Sequence, residues 1–149
     1  MRTMRRTLVL ILPILIGLAP GPGRAAEDDR QPVDLPQPVR ASMLADMRDH
    51  LIALETITQQ LADEDYDAAA DTAEQHLGLS AMQAHGGAGR ARFMPESMRK
   101  IGSSMHHAAS RFAVTVRDAE VTGNTSAVFG ALSDVMRQCV ACHEGFRVR

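Results

Sequence analysis

The chain has 149 residues, 45% hydrophobic and 23% charged, with a formal net charge of −2. This balance excludes collagen-like and disordered classes, and the length suits one domain. Aromatic residues make up only 3%, which disfavours a β-sandwich or barrel, and two Cys are too few for a disulfide framework.

Residues 1–26 read as a secretory signal peptide. Arg2, Arg5 and Arg6 form a basic start, Leu8 to Leu18 an apolar stretch, and Gly23-Arg24-Ala25-Ala26 a small-residue cleavage site near Ala25 or Ala26. The apolar stretch covers 11 residues and contains Pro13. A membrane-spanning helix needs roughly 20 apolar residues. The expected mature chain is therefore exported, periplasmic and not inserted in a membrane. All 18 acidic residues lie beyond position 26, whereas Arg2, Arg5, Arg6 and Arg24 precede it. Twelve of the 16 basic residues remain, and the mature net charge becomes −6. Such a surface argues against nucleic acid or anionic lipid as partner and favours a cationic patch on a partner protein.

Residues 27–38, with Pro32, Pro36 and Pro38, are expected to be an extended, mobile Pro-rich arm ahead of one domain at 39–149. The first helix is predicted from Val39 to Ala62, since Met43, Met47, His50, Leu54, Ile57 and Leu61 recur at alternating steps of four and three. A second, Ala-rich helix is predicted over Asp67 to Leu77, with Gly78 as its stop. Residues 78–94, holding Gly86, Gly87 and Gly89, read as a loop. The third helix starts at Pro95 with Glu96 in its first turn and presents Met98, Ile101, Met105, Ala108, Phe112 and Val116. Gly123 closes it, and Asn124 or Thr125 caps a fourth with the stripe Val128, Leu132, Val135, Cys139, Cys142, Phe146. Four amphipathic segments with no sustained period-2 alternation predict an all-α, antiparallel four-helix bundle.

The chemistry is concentrated in Cys139-Val140-Ala141-Cys142-His143. Cys-x-x-Cys-His is the attachment signature of c-type haem. Cysteines at i and i+3 share one side of a helix, so two thiols can add to the two vinyl groups of one porphyrin, with His143 as proximal iron ligand. The rivals are weaker. A thioredoxin-like pair needs a βαβ context, a structural zinc site needs four ligands, and a disulfide here would close too short a loop to gain much. One covalent haem c is the expected cofactor.

The segment from Gly123-Asn124 through Val135, Cys139, Cys142, His143, Phe146 and Arg147 resembles the last helix of the cytochrome c prime family and its Met-ligated low-spin relatives. Tyr66-Asp67-Ala68-Ala69 resembles the opening of that family's second helix. The likeness covers about residues 39–147 in architecture and is specific near the C-terminus. It implies that Arg147, four residues after the haem His, flanks the proximal imidazole, and that a homodimer forms through the first two helices.

The resemblance also implies that the first helix presents a residue to the distal side of the iron. Registering backwards from Tyr66-Asp67-Ala68-Ala69 puts Met47 there. Registering from Arg40 puts Leu44 there, and Met43 lies one turn from Met47 on the same side. A Met sulfur makes the iron six-coordinate and suits electron transfer. An unligating residue leaves it five-coordinate, the arrangement that binds or buffers NO or CO. His50 on the same face could ligate or hydrogen-bond a propionate, and the roles of His106 and His107 stay open. His76 and His85 need no function, and the remaining Met residues read as packing. No catalytic constellation is evident, so the expectation is a periplasmic electron carrier rather than an enzyme, exchanging electrons with a redox partner protein.

Overall fold

The computed structural model describes residues 27–85 and 87–149; the expected signal segment lies outside them. The described chain forms six helices: α1 (Gln37–Ala62), α2 (Tyr66–His76), α3 (Leu79–Ala84), α4 (Gly87–Ala91), α5 (Glu96–Thr122) and α6 (Thr125–Gly145). The strands β1 (Gln31–Val33) and β2 (Phe146–Val148) add a short parallel ribbon. The class is all-α. Among the described residues no helix is long and apolar enough to cross a membrane.

Local signals set the helix ends. Pro36 precedes α1 and Pro38 lies in its first turn, where no amide is required. Asp65 caps α2 by accepting from the Ala68 amide at 3.2 Å. Gly123 ends α5 in the left-handed region with φ 67°, its N–H donating to the Ala119 carbonyl at 2.8 Å. Asn124 then caps α6 by accepting from the Ala127 amide at 3.1 Å.

Along the chain, α1 packs on α2, α2 on α5 and α5 on α6. The completely buried Ala69, Ala70 and Ala73 carry no bulk beyond Cβ, so α2 sits close against its neighbours. Ile57, Phe112, Val116 and Val135 are the largest fully enclosed side chains of the main core. A second apolar cluster holds Val33, Leu35, Met43 and Met98, with Phe93, Met94, Cys142, Phe146 and Val148 packed against it.

Three expectations need correction. The arm is not loose. Gln31, Pro32 and Val33 register with Phe146, Arg147 and Val148, the Arg149 amide donates to the Val33 carbonyl at 3.0 Å, and Val33 and Leu35 are buried. Two alternating apolar residues found a partner strand at the far end of the chain, and Pro32 is tolerated because a two-stranded ribbon is all edge. The stretch 78–94 is not a plain loop but carries α3 and α4. It is anchored by the buried Ala81 and by the Leu79 amide, which donates to Ser110 Oγ at 3.0 Å. Finally, α6 stops at Gly145, and Phe146 turns extended with φ −135° and ψ 150°. Phe146 and Arg147 therefore belong to β2, because pairing with β1 supplies their backbone with hydrogen-bond partners.

Candidate functional site

Between the two apolar clusters lies a cavity of about 380 Å³. α1 contributes Met43, Asp46, Met47 and His50. The α3–α4 segment contributes Met82, His85, Arg90 and Ala91, with Met94 just beyond it. α5 contributes Met98, Arg99, Gly102, Ser103, Met105 and His106, and α6 contributes Cys142. The volume falls in the range of small-molecule and cofactor pockets. Six of the chain's nine Met line it, which makes the wall apolar, polarizable and able to adapt its shape. Arg90 pairs with Asp46, joining α4 to α1 through side chains only about 15% exposed.

The residues singled out from the sequence divide. Cys142, Met43 and Met47 meet at this cavity; Leu44 is not in its lining. Cys139, one turn before Cys142, is half-buried against the main core, its Sγ 3.6 Å from the Val135 carbonyl. Burial pushes both thiols above their ordinary pKa, and for Cys142 the neighbouring Cys139 adds to the effect. Both are free, protonated thiols at neutral pH, which does not suit an activated redox pair. The His143 side chain is exposed and is not in the cavity lining; its backbone carbonyl accepts from Arg30 Nη1 at 3.3 Å. Arg147 is not one helical turn from His143, since α6 has ended. Its Nε lies 3.6 Å from the Asp28 carboxylate.

The histidines carry the clearest polar signal in the wall. His50 is buried, and its Nε2 has no hydrogen-bond partner, an arrangement that costs about 1–3 kcal/mol and asks for an explanation. Burial, with the neighbouring His85 and His106, holds it well below the ordinary histidine value, at about 4. His106 is also held low, chiefly by burial. Its Nδ1 lies 2.8 Å from the Leu77 carbonyl and 3.1 Å from that of Gly78. Carbonyls only accept, so Nδ1 carries the proton. His107, the next residue, is exposed and lines a separate cleft with Arg111, Asp134 and Arg137.

Residue spacing alone does not bring His85, Arg90 or Arg99 to the site. His85 follows α3, which is too short to show a periodic face, and Arg90 and Arg99 stand in no motif. The nearest available signal was the shared spacing of Met47 and His50 on α1. No family model, curated protein or solved structure matches the chain.

Proposed function

We propose that the mature protein is a periplasmic c-type cytochrome, a four-helix bundle built on α1, α2, α5 and α6 that carries electrons through one covalent haem c. The observation that carries this reading is the meeting of the Cys-x-x-Cys-His motif, through Cys142, with an apolar cavity lined by six Met. The donor set fits an iron porphyrin. It offers protonated thiols for the vinyl groups, thioethers and a buried unpaired imidazole nitrogen for iron, and the guanidinium groups of Arg90 and Arg99 for propionates.

When bound, the group supplies a one-electron ferric/ferrous couple. Cys139 and Cys142 would hold it by thioether bonds, each thiol adding its sulfur and its hydrogen across one vinyl double bond. His143 is the proximal ligand that the motif implies. The Met side chains give the wall an apolar, polarizable surface, and an apolar surround lowers the reorganisation that an electron carrier must undergo. An acidic surface suits docking to a cationic patch on a redox partner. Leu51 and Ile52, apolar and exposed on α1, support the homodimer that the resemblance implies.

The alternative is a five-coordinate haem protein that binds NO or CO. It needs an unligating residue such as Leu44 on the distal side, whereas the cavity is lined by Met43 and Met47. Absorption spectra of the oxidised and reduced holoprotein separate the two. Low-spin spectra in both states, with a ferric charge-transfer band from Met sulfur and little CO binding, are expected of the carrier. A high-spin spectrum with rapid CO binding would put gas binding ahead.

A further inference from the structure

The arm ahead of α1 does more than pack. Val33 and Leu35 alternate onto one face and are buried in the cluster against which Cys142, Phe146 and Val148 sit. The Arg149 amide donates to the Val33 carbonyl at 3.0 Å, and the Leu35 amide to the Arg149 carbonyl at 3.4 Å. Just before this ribbon, Arg30 donates Nε and Nη2 to the two carboxylate oxygens of Asp28, each at 2.8 Å, and Nη1 to the His143 carbonyl at 3.3 Å. We propose that the arm is a clasp on the motif-bearing end of α6 and that Arg30 is a positioning residue for His143. The clasp needs no cofactor; its bearing on iron rests on the haem reading above.

The end of α6 needs such a partner. The last carbonyls of a helix lack intrahelical donors, and the negative end of the helix dipole gathers there. The Phe146 amide donates to the Cys142 carbonyl, and the next carbonyl, that of His143, takes Arg30. Because α6 ends at Gly145, Arg147 is carried toward Asp28, where its buried Nε stands 3.6 Å from the carboxylate without a hydrogen bond. The cation at His143 therefore comes from 113 residues earlier in the chain. Without it the last turn frays, and the direction of the His143 Cα–Cβ bond is lost with it.

Burial decides which contact docks the arm. Three-residue strands in a two-stranded ribbon do not hold alone in water. Arg30 and Asp28 are each 41% exposed, so solvent screens their pair. Val33 and Leu35 supply the docking, and the ion pair supplies direction. A planar guanidinium held by Nε and Nη2 leaves Nη1 aimed at one acceptor.

Hydrogen exchange of the full mature chain, read by mass spectrometry on peptides over 143–149, tests the clasp in protein expressed without haem attachment. Exchange there should speed at least tenfold in Val33→Asp and severalfold in Arg30→Ala, with Arg30→Lys near the parent and α2 and α5 unchanged. Equal exchange over 143–149 in the parent, Val33→Asp and Arg30→Ala overturns the clasp; Arg30, being exposed, leaves the fold intact if Val33→Asp does not. In the holoprotein, Arg30→Ala should lower the reduction midpoint, since a cation near the iron favours the ferrous state, and Arg30→Lys should restore it. An unmoved midpoint in Arg30→Ala, with the exchange result as expected, overturns the positioning of His143 while the haem stands. A parent that carries no haem removes both the carrier and the positioning role, and the exchange result alone then decides the clasp.

Discussion

Ser110 on α5 donates its hydroxyl to the Glu74 carboxylate on α2 at 2.5 Å. The same carboxylate accepts from the Ser80 hydroxyl at 2.8 Å and the Ser80 amide at 3.1 Å, while Ser110 Oγ itself receives the Leu79 amide. This knot ties the end of α2 and the start of α3 to the middle of α5. It therefore sets where Met82 and His85 enter the cavity wall.

The knot has a pH signature. Burial raises the Glu74 pKa, but the hydrogen bonds from Ser110 and Ser80 and the charge of Arg117 outweigh it and leave it below the ordinary value. A carboxylate depressed in the folded state contributes stability that is present above its unfolded pKa and lost as pH falls through the folded one. Glu74→Gln should lower neutral-pH stability by about 1 kcal/mol, a half-exposed position screening the rest. It should also flatten the loss of stability below about pH 4.5. Denaturant titrations of parent and variant across that range check both.

Gly78 sits beneath the same carboxylate. A Cβ there would run into Glu74 Oε2 and stand 2.8 Å from the Glu74 backbone carbonyl. Gly78→Ala should destabilise by about 1–3 kcal/mol, as overpacking does. Adding Glu74→Ala should recover only part, because the carbonyl contact persists. Full additivity of the two changes in urea unfolding would show that they do not meet.

The packed arm gives a third expectation. Leu35→Ala should cost about 2 kcal/mol, and a chain beginning at Gln37 should lose more in Tm, since Val33, Leu35, Met43 and Met98 form one cluster. Unchanged melting in both would mean that β1 contributes nothing.

The long helices were legible because their information is local. Met43, His50 and Ile57 on α1 and Val128, Leu132 and Val135 on α6 repeat at helical spacing, and all are buried. Asp65, Gly123 and Asn124 act at the ends they adjoin. The β1–β2 pairing was not legible, because Gln31 meets Phe146 across nearly the whole chain and neither triplet is long enough to show alternation. At the site, the shared face of Met43, Met47 and His50 could be read from α1 alone. The approach of His85 could not, since it depends on how the Glu74–Ser110 knot positions α3. The end of α6 is hidden for a related reason: Phe146 continues the apolar stripe, but the strand partner that draws it out of the helix is remote.

The distal side can be resolved by substitution. Met47→Ala should convert a low-spin iron spectrum to high-spin and open the site to rapid CO binding, while Met43→Ala should mainly cost stability through the cluster with Met98. The reverse pattern would assign Met43 as the ligand, one turn away.

The proposed electron carrier stands on covalent haem at Cys139 and Cys142. Intact-mass spectrometry of the exported, mature protein after acid–acetone extraction tests it most directly, in a strain that matures other c-type cytochromes. The expected mass is the polypeptide plus one haem, reduced to the bare polypeptide in the Cys139→Ala, Cys142→Ala double variant. A haem-free mass for the parent protein would contradict the assignment.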